Sequence, residues 1–152
     1  MVSRILLPHD GTGMSDKALE KATELAKAMK SEMLIVHIVD SRFVPPSATL
    51  GFISDKTTLE GAKVQLIKIL KSSAEQMLKD KLAKVRANGV SVEFVLGVGS
   101  PAEEIVKLAR KMKSDLIVMG SRQLKGGYKL KALGSVARRV SETADCPVMI
   151  IR

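Results

Sequence analysis

Residues 118–140 read VMGSRQLKGGYKLKALGSVARRV and carry the strongest chemical signal in the chain. An apolar strand end leads into a glycine-containing stretch with Lys and Arg but no acid, and Gly134-Ser135 then opens a helix. The start of a helix offers unpaired N–H groups and the positive end of the helix dipole to an anion. Gly134 has no Cβ to keep a phosphate away from the backbone, and Ser135 adds a hydroxyl donor. The segment therefore predicts a phosphate site built mainly from backbone.

Each part of this segment also has an interpretation without a ligand. Gly134 can be a loop glycine, and Ser135 can be an N-cap. The cations can form a solvated face, or they can attract a polyphosphate, since charge-assisted hydrogen bonds contribute about 1.5–3 kcal/mol each. The net charge of +9 permits nonspecific contact with nucleic acid, but Tyr128 is the one aromatic residue among the cations, so base stacking has little support. These cations are Arg122, Lys125, Lys129, Lys131, Arg138 and Arg139.

The composition is typical of one folded domain with an aliphatic core. The chain has 152 residues, 45% of them hydrophobic, with one Tyr, three Phe and no Trp. A single cysteine, Cys146, excludes an internal disulfide, and two separated histidines make structural zinc unexpected. The N-terminal apolar stretch contains Arg4 and ends at Pro8, which is too short for a signal peptide or a membrane span. A cytoplasmic protein without membrane contact is the expectation.

Apolar runs alternate with amphipathic segments throughout the chain. Strands that are apolar on both faces and separated by helices predict an open parallel sheet with helices on both faces. Residues 40–56, which include two prolines and a glycine, are expected to form a long loop. The predicted strands are residues 2–7, 33–39, 90–98, 116–119 and 147–151, and the predicted helices are residues 15–30, 57–89, 101–113 and 135–143.

The turn after the first strand and the loop after the fourth strand are predicted to share one rim of the sheet. In open parallel sheets, ligands bind beyond the carboxyl ends of the strands, where the strand order switches. The first strand ends at residues 8–10 and the fourth ends at Gly120. The Asp10 turn and the Gly120 loop can therefore contact the same ligand, although turns also favour Asp for local hydrogen bonds alone.

Other βα folds fit these residues less well. A phosphoreceiver domain needs an Asp after the third strand, where this chain reads VLGVGSP. Residues 97–102 match G-x-G-x-x-A, but Pro101 removes an N–H that a pyrophosphate would need, so a turn and helix cap are expected there. The 10–15 turn resembles a flavin-phosphate loop only faintly, because Asp10 would repel phosphate.

Six segments of the chain, in order, resemble the universal stress protein family: ILLPHDG, IVHIVD, VGSPAEEIV, DLIVMGSR, LGSVARRV and CPVMIIR. The resemblance covers essentially the whole chain. It implies one domain over residues 1–152, an α/β domain with an open parallel five-stranded sheet and helices on both faces. This is the adenine nucleotide alpha hydrolase-like fold, with strand order 3-2-1-4-5.

The ATP-binding branch of that family is marked by Gly, two residues, Gly, nine residues, then Gly followed by Ser or Thr. Gly120 and Gly134-Ser135 match its two ends, whereas Gln123 stands in place of the middle glycine and the loop is one residue longer. Gly126 and Gly127 can restore the flexibility from a shifted position.

By resemblance, Pro8 and Asp10 border the adenosine, and Ile38 offers its backbone to the adenine. Gly120 and the backbone of residues 134–137 hold the phosphates. The cofactor-binding residues expected in this way are Pro8, Asp10, Ile38, Met119, Gly120, Arg122, Gly127, Gly134, Ser135, Val136 and Ala137.

The resemblance implies a dimeric regulatory switch that binds ATP, with or without Mg²⁺, and that acts on a further protein partner. The C-terminal strand, Val148 to Ile151, would form the homodimer by covering an apolar sheet edge. The alternatives are a nucleotide-free dimeric scaffold, which Gln123 favours, and a slow ATPase. No catalytic residue is predicted, because neither His9 nor His37 has a nucleophile and an orienting partner that spacing can identify.

Overall fold

Strands and helices alternate along the chain in the computed structural model, which describes residues 1–43, 56–121 and 133–152. A short 3-10 helix, Ser41–Phe43, follows the second strand. The strands are β1 (Arg4–Pro8), β2 (Glu32–Asp40), β3 (Val92–Gly99), β4 (Leu116–Gly120) and β5 (Val148–Ile151), and the helices are α1 (Gly13–Met29), α2 (Lys56–Ala87), α3 (Pro101–Lys111) and α4 (Ser135–Thr143).

The five strands form a parallel sheet in the order β3-β2-β1-β4-β5. This confirms the predicted architecture and strand order. The predicted strands and helices are all present, with ends that differ by no more than one or two residues. Of the predicted 40–56 loop, residues 44–55 lie outside the described residues.

Two hydrophobic clusters cover the two faces of the sheet. Ile5, Leu7 and Ile35 pack with α1 and α2 on one face, whereas Leu6 and Leu34 pack with α3 and α4 on the other. Successive side chains of a strand point to opposite faces, so a strand that is buried on both sides reads as a continuous apolar run. The strands could therefore be predicted from apolar runs in the sequence, although polar and apolar residues do not alternate along them.

The ends of two strands are set by contacts distant in sequence. β1 begins at Arg4, where the Asp115 carboxylate accepts the N–H groups of Ser3 and Arg4 at 2.8 and 3.0 Å. β3 begins at Val92, since the Val90 N–H still donates to a carbonyl in the last turn of α2. The strands predicted to start at residues 2 and 90 therefore each start two residues later than predicted.

The central strand β1 is shorter than its neighbour β2. Its last register pair is Pro8 with Val36, and β2 continues from there to Asp40 beside β3. On the other side of β1, β4 ends at Gly120 beside β5. A gap therefore opens beyond the end of β1, where the strand order switches direction, and ligands bind at such a point in open α/β sheets.

No helix within residues 1–43, 56–121 and 133–152 combines the length and the apolar character needed to cross a membrane.

Candidate functional site

A cavity of about 540 Å³ occupies the gap beyond β1. Its walls come from the turn after β1, the last residues of β2, the end of β4, the start of α4, and one face each of α2 and α3. Arg122 and Gly127 lie outside the described residues, as do the predicted cations Lys125, Lys129 and Lys131. The predicted site residues that line this cavity are Pro8, Asp10, Ile38, Met119, Gly120, Gly134, Ser135, Val136 and Ala137.

Asp10 organises the turn between β1 and α1. Its Oδ1 accepts the N–H of Thr12 at 3.0 Å, the Thr12 hydroxyl at 2.6 Å and the Ser15 hydroxyl at 2.7 Å. Gly11 has φ +86°, a conformation that favours glycine, and a Cβ there would lie 2.9 Å from the Met77 sulfur. The local turn role expected of Asp10 is therefore present, and the same residue borders the cavity.

His9 lies beneath this turn and is only 2% exposed. Its Nδ1 accepts the Gly11 N–H at 3.0 Å, which requires the ring proton to be on Nε2, and Nε2 donates to Asp16 Oδ1 at 2.9 Å. Asp16 also pairs with Lys81 of α2. Burial lowers the pKa of His9 despite the Asp16 hydrogen bond, and Lys81 lowers the pKa of Asp16. The ring is therefore held neutral.

His37 also borders the cavity, although it is not among the site residues expected from the sequence. Its Nδ1–H donates to the backbone carbonyl of His9 at 2.8 Å, so the side chain is satisfied on that side. Asp40 and Arg42, which line the cavity at the end of β2, were not predicted from the sequence, and neither was the α2 wall. The long apolar face of α2 is typical of core packing and gave no sign of a ligand site.

The backbone of β2 presents a donor and an acceptor to the gap at Ile38. The His9 N–H donates to the Val36 carbonyl at 2.8 Å, so the polar groups of Val36 point towards β1. In a parallel ladder, the N–H and C=O of one residue point to the same side and successive residues alternate. Ile38, two residues further on, therefore directs both groups into the gap where β1 has ended.

Packing accounts for two glycines near the site. A Cβ on Gly120 would lie 2.6 Å from the backbone oxygen of Met14, so β4 can approach α1 this closely only with glycine there. A Cβ on Gly97 would lie 2.8 Å from the Ile38 Cδ1. Gly97 thus packs within β3 and is not part of a turn, whereas Ser100 and Pro101 form the predicted helix cap at the start of α3.

The start of α4 closes the cavity opposite Ile38. Gly134 is the N-cap, with φ −60° and ψ 157°, and Ser135 is the first helical residue, so the alternative that Ser135 is the N-cap is wrong. The buried Ser121 hydroxyl accepts the Gly134 N–H at 3.1 Å. The N–H groups of the next three residues belong to the first turn, which has no intrahelical acceptors to offer them.

Arg42 lies on the cavity wall as one half of an ion pair with Asp40. It forms a two-point contact with Asp40, with Nε–Oδ1 at 3.0 Å and Nη2–Oδ2 at 2.6 Å, and it lowers the pKa of that carboxyl. Arg138 and Arg139 are exposed on α4. Within the described part of the chain, no three His, Cys, Asp or Glu side chains are grouped as metal ligands.

An open parallel sheet of this strand order, with a cavity at its switch point, is the architecture of doubly wound α/β proteins. The profile of the universal stress protein family matches residues 1–152, and the chain belongs to that family. Universal stress protein YxiE of Bacillus subtilis is 34% identical over 152 residues, which is 100% of both chains.

Solved structures agree with this assignment. The hypothetical protein MJ0577 of Methanocaldococcus jannaschii has a TM-score of 0.80 and 26% identity, over 99% of this chain and 96% of its own. A universal stress protein in complex with cAMP has a TM-score of 0.70 at 20% identity, covering 99% and 97% of the two chains. One from Archaeoglobus fulgidus in complex with dAMP has a TM-score of 0.64 at 22% identity, covering 100% and 98%. The last two share the fold.

Proposed function

We propose that this universal stress protein is a regulatory adenine-nucleotide-binding protein, with ATP as its main ligand, and that it acts as a homodimer. The observation that carries the proposal is the cavity at the sheet switch point. There the Asp10 turn, the β2 backbone at Ile38 and the start of α4 face one another. Its volume of about 540 Å³ lies within the ordinary range of small-molecule sites.

The start of α4 supplies the phosphate subsite in this proposal. The N–H groups of Ser135, Val136 and Ala137 have no intrahelical acceptors, and the positive end of the helix dipole attracts an anion. Gly134 at the N-cap keeps the approach to these donors free of a side chain.

The adenosine subsite is formed by the Asp10 turn and β2. Adenine presents an amino donor beside a ring-nitrogen acceptor, and the C=O and N–H of Ile38 are their complement. Apolar walls from Val39, Ile105 and Met119 suit the faces of a base. The Asp10 carboxylate lies where ribose hydroxyls could donate to it, as acidic residues do in other α/β nucleotide sites.

Two structural neighbours that were solved with cAMP and with dAMP support an adenine ligand over other bases. We propose that Mg²⁺ enters together with ATP, because this ion binds largely through substrate phosphates and water. Dimerisation through β5 would cover an edge that has no second strand neighbour among the described residues.

A nucleotide-free scaffold is the second candidate, and one observation favours it. Gln123 replaces the middle glycine of the family pattern, and the loop is one residue longer. A scaffold of this kind would keep the fold and the dimer but lose the phosphate contacts.

Calorimetric titration of the purified full chain with ATP, AMP and adenosine, with and without Mg²⁺, tests the proposal. We expect ATP to bind about tenfold or more tightly than AMP, since each charge-assisted phosphate contact is worth about 1.5–3 kcal/mol. Equal affinities for ATP, AMP and adenosine would reject the phosphate subsite on α4. Absence of binding by all three ligands would favour the scaffold. Release of phosphate from ATP, measured in parallel, would identify a slow ATPase.

A further inference from the structure

His9 connects the Asp10 turn to the rest of the protein through its backbone and its ring. Its N–H donates to Val36 of β2, and its carbonyl accepts the His37 side chain at 2.8 Å. Its ring accepts the Gly11 N–H at 3.0 Å. These contacts lie on both sides of Asp10 in the sequence, so they determine where that residue stands at the cavity wall.

Only the neutral ring can make the contact with Gly11. A protonated imidazole carries a hydrogen on both nitrogens, and Nδ1 would then point a donor at the donor of Gly11. The part-buried hydrogen bond would be replaced by a contact between two donors, which is unfavourable. Gly11 has φ +86° and lies in the tight turn that follows His9. We therefore expect this turn to move when the ring is protonated.

We propose that the neutral His9 ring is a positioning residue that holds the Asp10 turn at the wall of the nucleotide cavity, and that protonation of this ring loosens the turn and weakens nucleotide binding. The inference rests on the proposed function and adds to it that acid pH regulates nucleotide binding at the same site.

The charged and titratable groups around the ring come from four elements. Asp16 of α1 favours the protonated form, Asp10 in the turn favours it weakly, and Lys81 of α2 opposes it. His37 of β2 contacts the His9 carbonyl. Burial outweighs the two carboxylates, so the pKa of His9 is lowered and binding should weaken on the acid side of neutrality.

Two amide variants separate the roles of the two ring nitrogens. In His9→Asn, the side-chain oxygen occupies the position of Nδ1 and can still accept the Gly11 N–H, but the group no longer titrates. In His9→Gln, the amide reaches the position of Nε2 beside Asp16 and leaves Gly11 without its acceptor. Both changes place an uncharged amide in the same buried space, so each is the matched control for the other.

ATP affinity is measured by calorimetry for the full-length wild type, H9N and H9Q at about pH 7.5 and at successively lower pH down to the onset of acid unfolding, while protonation of the His9 ring is followed by NMR. We expect H9Q to bind about tenfold more weakly than H9N at the higher pH, since it leaves the part-buried Gly11 N–H without the acceptor that holds the turn. We expect the wild type to lose at least about threefold more affinity than H9N once the pH has fallen far enough to protonate the His9 ring, whose pKa lies below 6.5. The nucleotide phosphate titrates in the same range but identically for all three proteins, so it cancels in the comparison.

Equal affinity of H9N and H9Q, or equal acid sensitivity of wild type and H9N, would overturn the inference while leaving nucleotide binding intact. Loss of the acid response in His37→Asn but not in H9N would assign it to the other histidine and also overturn the inference. A wild type that binds no nucleotide would instead reject the proposed function. Amide exchange at Gly11 in the unaltered protein tests the turn without any variant. After correction for the intrinsic pH dependence of exchange, a protection factor that does not fall as the His9 ring is protonated would overturn the inference.

Discussion

Replacing Gly134 by Asp should remove ATP binding and leave the fold intact, with Asn at the same position as the control. Gly134 is the N-cap of α4 and has φ −60° and ψ 157°, an extended conformation that any residue adopts. Asp and Asn are both strong N-cap residues and differ from glycine by only a few tenths of a kcal/mol in helix stability. The two variants are nearly equal in size, so they differ in charge alone.

The expected loss of affinity follows from the distance between the new carboxylate and a bound phosphate. A phosphate held by the first-turn N–H groups of α4 would lie about 4 Å from the introduced side chain, where two like charges repel by about 4 kcal/mol at an effective dielectric constant of about 20. That energy corresponds to about a thousandfold in the dissociation constant, and salt screening reduces it to about a hundredfold or more. The carboxylate would also engage the helix N–H groups that the phosphate needs.

Calorimetry with ATP and with adenosine distinguishes charge from size. G134D should bind ATP about a hundredfold or more weakly than G134N, while the two variants bind adenosine alike, because adenosine carries no phosphate. Thermal unfolding of the unliganded variants should give similar midpoints. Equal ATP affinities of G134D and G134N would refute the assignment of the phosphates to the start of α4.

Three further predictions concern stability and assembly. Gly120→Ala should destabilise the protein by about 1–3 kcal/mol in chemical denaturation, because the Cβ would lie 2.6 Å from the Met14 carbonyl oxygen; an unchanged midpoint would contradict this packing. Burial lowers the pKa of His9 from 6.5, so on acidification the unfolded chain takes up the proton before the folded protein does. The free energy of unfolding should therefore fall as the pH drops below about 6.5, and it should fall less in H9N. Identical pH profiles of stability for the two proteins would count against a buried neutral ring. Light scattering at micromolar concentration should give a dimer for the wild type and a monomer for Met149→Asp, because this change places a charge on an exposed residue of β5. A monomeric wild type would disprove the dimer.

The fold was accessible from the sequence because its signals are local. Strands such as β2 are buried on both faces and read as apolar runs, and Ser135 could be recognised as the start of α4 because a glycine precedes an amphipathic segment. Alternation of the two element types then limits the fold to a parallel sheet with helices on both faces. The end of β1 at Pro8 and the end of β4 at Gly120 followed from turn residues, so both sides of the cavity could be predicted.

Contacts between distant residues could not be predicted in the same way. His9 and Asp16 lie on either side of the turn between β1 and α1, only 7 residues apart. Lys81, in contrast, contacts Asp16 from α2, 65 residues further along the chain. Such a cluster depends on how helices dock on the sheet, and docking is decided by the shapes of many side chains together. The sequence therefore showed a histidine beside an aspartate and gave no indication that its ring is neutral and fully hydrogen-bonded.

The sequence by itself determined the order of the elements, the parallel sheet and the glycine-serine pair that begins α4, because periodicity and helix starts depend on neighbouring residues. The tertiary structure alone decided that β1 stops short of β2, which turns the backbone of Ile38 towards an open cavity. It also decided that Gly120 is required by the approach of Met14. These features depend on the relative lengths and packing distances of elements that are remote in sequence, and no local pattern encodes them.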